Sequence, residues 1–184
     1  MISIQLMKHK DLNRITEIDR SEEIESIYRN KNGSLIKVPM KKTISNWSSE
    51  TNEANIKLLT PILAQGGKLI GAFDGPKLAG VSVLGNSLIG ENKNQLQMAF
   101  LYVSNGYRRR GIAAQLMDFM CDLAIKKGAA FLYISATETN SAVDFYLKYG
   151  CKLTDELNPE LFEREPNDIH MIYRLKNHLE KESR

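Results

Sequence analysis

The chain has 184 residues, 42% hydrophobic and 26% charged, with a net charge of +3. That length suits one domain able to bury about 70% of the surface its unfolded form exposes, with no need of a disulfide or metal staple. The charge is too small for a nucleic-acid coat or a membrane-surface protein, and no apolar run approaches the roughly 20 residues that span a bilayer.

Residues 2–6 alternate apolar and polar and predict a half-buried strand. Leu12, Ile15 and Ile18 recur at helical spacing, and Ile24 and Ile27 continue the pattern as a second helix after a break at residues 19–21. Residues 30–49 read as loop with a short extended piece at 35–38. Residues 51–65 predict a helix through Ile56, Leu59 and Leu63, kinked or split at Pro61 and stopped by Gly66-Gly67. Residues 68–73 and 77–84 flank Asp74-Gly75-Pro76 as a hairpin, and 95–103 is a further strand. The clearest helix is 109–127, with Ile112, Leu116, Met120 and Leu123 on one stripe and Gly128 as its stop. A strand at 130–135, a helix at 140–149 closed by Gly150, and strands at 151–153 and 169–175 complete the order. This is an α/β (α+β) chain, a mixed sheet with helices packed against it. One domain is expected over residues 1–175, followed by a polar tail at 176–184. Cys121 and Cys151 lie in no CxxC or Cys/His cluster, and His9, His170 and His178 are scattered, so no metal site is signalled. Without a signal-peptide pattern the cytoplasm is the expected compartment.

The stretch that carries chemistry is Val103-Ser104-Asn105-Gly106-Tyr107-Arg108-Arg109-Arg110-Gly111-Ile112-Ala113-Ala114. A strand ends, a basic turn follows, and a helix begins at a glycine. The first turn of a helix has N–H groups without internal partners, and the helix dipole places partial positive charge there. Gly111, Ala113 and Ala114 leave that backbone open to a phosphate. On the turn alone, a pyrophosphate cradle and a surface arginine run capping an ordinary helix are about equally supported. After the next strand comes Asn140-Ser141-Ala142-Val143-Asp144-Phe145-Tyr146-Leu147-Lys148-Tyr149-Gly150-Cys151.

Together the two stretches resemble the GNAT acetyltransferase superfamily. Its acyl-CoA motif R/Q-x-x-G-x-G/A is matched by Arg108, Gly111 and Ala113, behind a strand ending in Val103. Its second motif is matched by Asn140, Ala142, Tyr146 and Gly150, with Cys151 in place of the usual Phe. The resemblance implies a mixed, mostly antiparallel central sheet of about seven strands with helices on both faces. It implies acetyl-CoA as co-substrate with no metal, and a small-molecule or peptide amine as acceptor. Nucleic acid and membrane are not expected partners, and exposed strand edges leave a homodimer open.

By the same resemblance the CoA-binding residues are Leu101, Tyr102, Val103, Arg108, Arg109, Arg110, Gly111, Ile112, Ala113, Ala114, Asn140 and Tyr146. A backbone N–H near Val103 would polarise the thioester carbonyl, and Tyr146 would be the general acid that protonates the leaving thiolate. Asn140 would contact the pantetheine arm or cap its own helix. Relatives often carry a Glu on the strand before the first motif; residues 95–103 hold no carboxylate, so Glu138 is the expected base, with Glu22 and Glu23 as other candidates. The acceptor would be lined by residues 19–28, 30–49 and the acidic loop 155–168, with Trp47 read as core. The reaction expected is direct transfer in a ternary complex. The alternative is a non-catalytic acyl-CoA-binding sensor, which needs only the cradle at 108–114.

Overall fold

The structure, a computed structural model, describes residues 1–175, so the expected tail lies outside the described residues. In chain order the elements are β1 (Ile2–Leu6), a 3-10 helix (His9–Glu17), β2 (Glu22–Lys31), β3 (Ser34–Ile44), α1 (Ser49–Ala64), β4 (Lys68–Asp74), β5 (Lys77–Ile89), β6 (Gln95–Val103), a 3-10 turn (Asn105–Tyr107), α2 (Ile112–Lys126), β7 (Phe131–Ala136), α3 (Asn140–Tyr149), β8 (Lys152–Leu153), α4 (Pro159–Arg164) and β9 (Ile169–Arg174). Seven strands form one sheet in the order β1-β4-β5-β6-β7-β9-β8, and β2 and β3 form a separate pair. The β1/β4, β4/β5, β7/β9 and β8/β9 pairs are antiparallel. β6 and β7 are neighbours joined through α2, the kind of crossover a parallel pair requires. The chain clusters into two compact units.

The first unit comprises Met1–Glu22, Thr43–Ser87 and Met98–Asp122. Its hairpin is the expected one: β4 and β5 meet around Asp74-Gly75, where Gly75 adopts φ +58°. The core collects Leu12 and Ile15 from the first 3-10 helix, Leu59 and Leu63 from α1, and Leu69, Leu78, Val81 and Val83 from the sheet. The residues around Leu12 form a 3-10 helix and not the expected α-helix. Glu17 fixes this helix to the sheet. Its carboxylate accepts from Arg14 Nε at 2.6 Å and from Leu78 N–H at 3.2 Å, and the bond from Arg14, ahead of the others, holds its pKa below the ordinary value. Pro61 does not split α1. It stands in the last turn on the exposed side, and Gln65 N–H still bonds Pro61 O at 3.0 Å.

Among the described residues, the second unit comprises Glu23–Lys42, Leu88–Gln97 and residues 123–175. Here the expected second helix at Ile24 and Ile27 is replaced by β2, and most of the expected loop is β3. Ile24 and Ser26 are buried at alternate positions of a strand. The turn is Asn32-Gly33, both at positive φ (+53° and +80°), the conformation that twists two strands correctly into a tight hairpin. The hairpin is fixed to the start of α3. Tyr28 N–H bonds Glu138 O at 2.7 Å, Tyr28 OH donates to Asp144 at 2.6 Å, Lys37 Nζ donates to Asp144 at 3.3 Å, and Arg29 pairs with Glu138.

The acidic stretch expected as loop contains α4, capped by Asn158 with Pro159 at the first helical position. It is tied down by Glu156, which accepts from Glu91 N–H at 2.5 Å and Gln95 Nε2 at 3.1 Å. Beneath it the buried His170 bridges Tyr133 OH (2.8 Å) and Glu165 O (3.0 Å). A carbonyl can only accept, so Nε2 carries the proton and Nδ1 receives the one from Tyr133.

Asp168 starts the return into β9, and burial, reinforced by Glu165, lifts its carboxyl from 3.8 to about 6. The folded chain therefore favours its neutral form. The penalty is full above the raised value and fades as pH falls toward 3.8. Asp168→Asn is expected to stabilise the protein by about 1–2 kcal/mol at neutral pH, allowing for solvent screening, with the gain vanishing near about pH 4 in urea titrations.

Candidate active site

In the first unit the site is built where β6 ends. Ser104 N–H bonds Ala79 O at 2.9 Å, and Ser104 Oγ accepts from Asp19 N–H at 3.0 Å. Asn105 N–H bonds Asp19 O at 2.7 Å. These bonds hold the loop before α2. Arg109 (φ +60°) and Gly111 (φ +76°) both lie in the left-handed region, so the helix starts at Ile112, three residues later than expected. Gly111 O accepts the first helical bond, from Gln115 N–H at 3.1 Å, which makes Gly111 the capping position.

The other three helices carry a side-chain cap: Ser48 on Thr51 N–H, Thr139 on Ala142 N–H and Asn158 on Leu161 N–H. At Gly111 there is no side chain to do this. The amides that open α2 consequently have no internal acceptor and no capping oxygen from that position. A Cβ at Gly111 would meet nothing nearer than Gln115 Nε2, at 4.0 Å, and the residue is exposed. Open space before bare, aligned N–H groups fits an anionic diphosphate.

The three arginines differ. Arg108 turns inward: Nε donates to Val103 O at 3.1 Å, Nη2 donates to Arg20 O at 3.1 Å, and Nη1 lies 3.7 Å from Glu22. It ties the loop to the strand end. Arg109 and Arg110 are exposed, and Arg110 lies over the Tyr107 ring at 5.3 Å. Of the expected CoA contacts, Leu101, Tyr102 and Val103 are half-buried at the end of β6, Ile112 is buried against the sheet, and Ala113 and Ala114 are half-exposed on the first turn of α2. Trp47 is half-buried and packs on Phe100 and Tyr102 at 5.7 and 4.7 Å between ring centres, at the edge of the core.

In the second unit α3 carries Tyr146, buried beside Val143. Asn140 is the first helical residue. The cap is Thr139, so the expected capping role of Asn140 falls to its neighbour. Gly150 closes the helix at φ +106°, and Tyr146 O accepts from Gly150 and Cys151 N–H at 3.1 and 2.9 Å. Cys151 and Cys121 are buried thiols. Glu138 lies just before the cap, its carboxylate paired with Arg29. Of the other carboxylate candidates, Glu22 belongs to the first unit and faces Arg108, and Glu23 is exposed on β2 in the second unit. No set of three metal-ligating side chains gathers among the described residues, and no described helix is long and apolar enough to cross a membrane. The sequence reading missed the Arg29–Glu138 pair, although the Asn-Gly turn that delivers Arg29 was visible.

The Acetyltransferase (GNAT) domain family matches residues 32–174, and the chain belongs to that family. The fold agrees with solved structures. Nourseothricin acetyltransferase superposes with a TM-score of 0.69 at 18% identity, covering 95% of this chain and 99% of that one. A putative streptothricin acetyltransferase from Bacillus anthracis, crystallised with acetyl coenzyme A, gives 0.64 at 16% identity, covering 96% and 98%. Among curated proteins, the probable N-acetyltransferase san of Drosophila melanogaster is 29% identical over 85 residues, 45% of this chain. The match spans 46% of that relative's length.

If Arg108 is a strut, Arg108→Ala should lower unfolding stability by about 1–3 kcal/mol, the range for hydrogen bonds from a charged donor. Arg110→Ala should stay within about 0.5 kcal/mol. Chemical denaturation of the two variants checks the contrast.

Proposed function

We propose that this protein is an N-acetyltransferase that moves an acetyl group from acetyl-CoA to a primary amine by direct attack in a ternary complex. The observation that carries the reading is the start of α2 at Gly111, a position with no side chain to cap the helix and open space around it. Residues 1–175 act as one catalytic domain in this proposal, and the cytoplasm, where the buried thiols stay reduced, is its compartment.

The amides opening α2 hold the diphosphate of CoA, with Arg109 and Arg110 as a cationic rim. A main-chain N–H near Val103 stabilises the oxyanion formed when the amine nitrogen attacks the thioester carbonyl, an effect typically worth roughly 3 kcal/mol. As the tetrahedral intermediate collapses, the C–S bond breaks and the thiolate takes a proton from the Tyr146 hydroxyl. The proton lost by the attacking nitrogen passes through water to Glu138. Arg29 pairs with that carboxylate and holds it beside the start of α3.

Two experiments test this. Tyr146→Phe should lower kcat roughly a hundredfold or more while leaving CoA affinity in place; an unchanged kcat removes the proton donor. Gly111→Asp places a good capping anion, tolerant of the left-handed conformation, on the amides the diphosphate needs. It should weaken CoA binding about tenfold or more in calorimetry, with folding stability changed by less than about 1 kcal/mol. Wild-type protein that binds CoA but turns over no amine would instead be a sensor module.

A further inference from the structure

The β2–β3 hairpin leaves its outer strand in water. Ile24, Ser26 and Ile27 are buried on β2, but every residue of β3 from Ile36 to Thr43 is exposed. Two strands alone are marginally stable in water, and here only the inner one is anchored. Among the described residues β3 pairs with β2 alone, so its outer edge meets no strand. Ile36, Val38 and Met40 alternate along it and share one face. Pro39 stands among them without an N–H, and Lys37, Lys41 and Lys42 lie on the same strand, which holds no acid. The hairpin's exposed acids, Glu23 and Glu25, are on β2, one strand in from the free edge. Proline and lysine on an edge oppose the addition of a further strand. The apolar stripe thus calls for a cover of another kind. A second apolar patch lies in the same unit, at α4. Leu161 is buried and seats that short helix, while Phe162 and, just before the cap, Leu157 are exposed. Glu160 and Glu163, three residues apart, share one exposed side of it. Its arginine, Arg164, is paired with Glu165 at 3.7 Å. The five apolar side chains of the two patches are each between 36% and 46% exposed, enough to pack on a partner.

We propose that β3 of one copy of this chain docks on α4 of a second copy, and the reverse, in a two-fold dimer. The two patches are alike in apolar content and opposite in charge, so the chain carries both halves of one contact. A two-fold arrangement uses each half once per protomer and closes at two copies. In each contact Ile36, Val38 and Met40 lie against Leu157 and Phe162, and Lys41 and Lys42 face Glu160 and Glu163. Taking both apolar stripes out of water drives the association. The opposed charges select the partner and set the orientation. A helix laid on a strand face needs no main-chain hydrogen bonds from β3, so Pro39 does not obstruct it. The proposal stands apart from the acetyltransferase reading and does not depend on it.

The test is sedimentation velocity of the full chain at micromolar concentration. The wild type should run as a dimer, and salt should weaken the association by screening the charge pairs. Two double variants, Lys41→Glu with Lys42→Glu and Glu160→Lys with Glu163→Lys, should each weaken dimerisation about tenfold or more. Circular dichroism should show both as folded as the wild type, since all four positions are exposed. Mixed in equal amounts, the two variants should pair with one another, because each then presents the charge the other needs at both contacts. Val38→Asp should also weaken the dimer, and neither charge variant should restore it. A monomeric wild type, a dimer that none of these changes weakens, or charge variants that stay apart when mixed each overturns the proposal. Growth past two copies overturns it as well, because a two-fold contact closes.

Discussion

The arrangement turns on a helix whose capping position has no side chain. Every α-helix begins with amides that have no internal acceptor, and most folds satisfy them at once with a side-chain oxygen. Three of the helices here do so through Ser48, Thr139 and Asn158. At α2 the capping position is Gly111, held at φ +76° with space where a side chain would stand. The amides without an internal acceptor and the positive end of the dipole coincide there, and in the proposed reaction a diphosphate completes the helix. Glycine serves both needs: it enters the left-handed region without steric cost and offers no oxygen of its own to quench the amides.

That open end is only useful if the loop before it is rigid, and here the arginine run takes on its meaning. Arg108 bonds Val103 O on one side and Arg20 O on the other, while Ser104 and Asn105 lock the loop onto Ala79 and Asp19. The loop is therefore braced from within, and what shows as a basic patch in the sequence is one structural cation and two exposed ones. Arg20 has a place in both halves of this unit. Its carbonyl receives Arg108, and its N–H donates to Asn46 Oδ1. One residue's backbone thus connects the cradle to the segment that leads into α1.

The sequence displayed those elements whose signals are local. The Asp74-Gly75 hairpin, the stripe of α2 and the αL stop at Gly150 were each written in a few adjacent residues, and each is found. The start of α2 was displaced because Arg109 has ordinary helical propensity yet sits at φ +60°, a choice made by the loop it belongs to. Ile24 and Ile27, three apart, imitate a helix. The alternation that governs is Ile24 with Ser26, and a buried serine does not register as hydrophobic. Asn32-Gly33 and Asn158-Pro159 were readable turn and cap signals for the elements that went unrecognised, β3 and α4. The proposed cradle could be read because its residues are contiguous. The partner of Glu138 was not, since Arg29 reaches it from a distant segment.

The β2–β3 hairpin shows how such a contact bears on chemistry. It has few apolar anchors of its own: Ile36, Val38 and Met40 are exposed on β3. Its attachment to the start of α3 is largely polar, through Tyr28 and Lys37 on Asp144 and Arg29 on Glu138. The bond to Asp144 is the main reason the Tyr28 phenol stays protonated beyond its ordinary range, so this attachment persists wherever an amine is deprotonated enough to react. Asp144 precedes Tyr146 by two residues on α3, and Glu138 precedes the cap of the same helix. In the proposed reaction both proton-handling groups therefore belong to one helix and its lead-in. The hairpin's grip on that lead-in fixes the surroundings of the acceptor carboxylate.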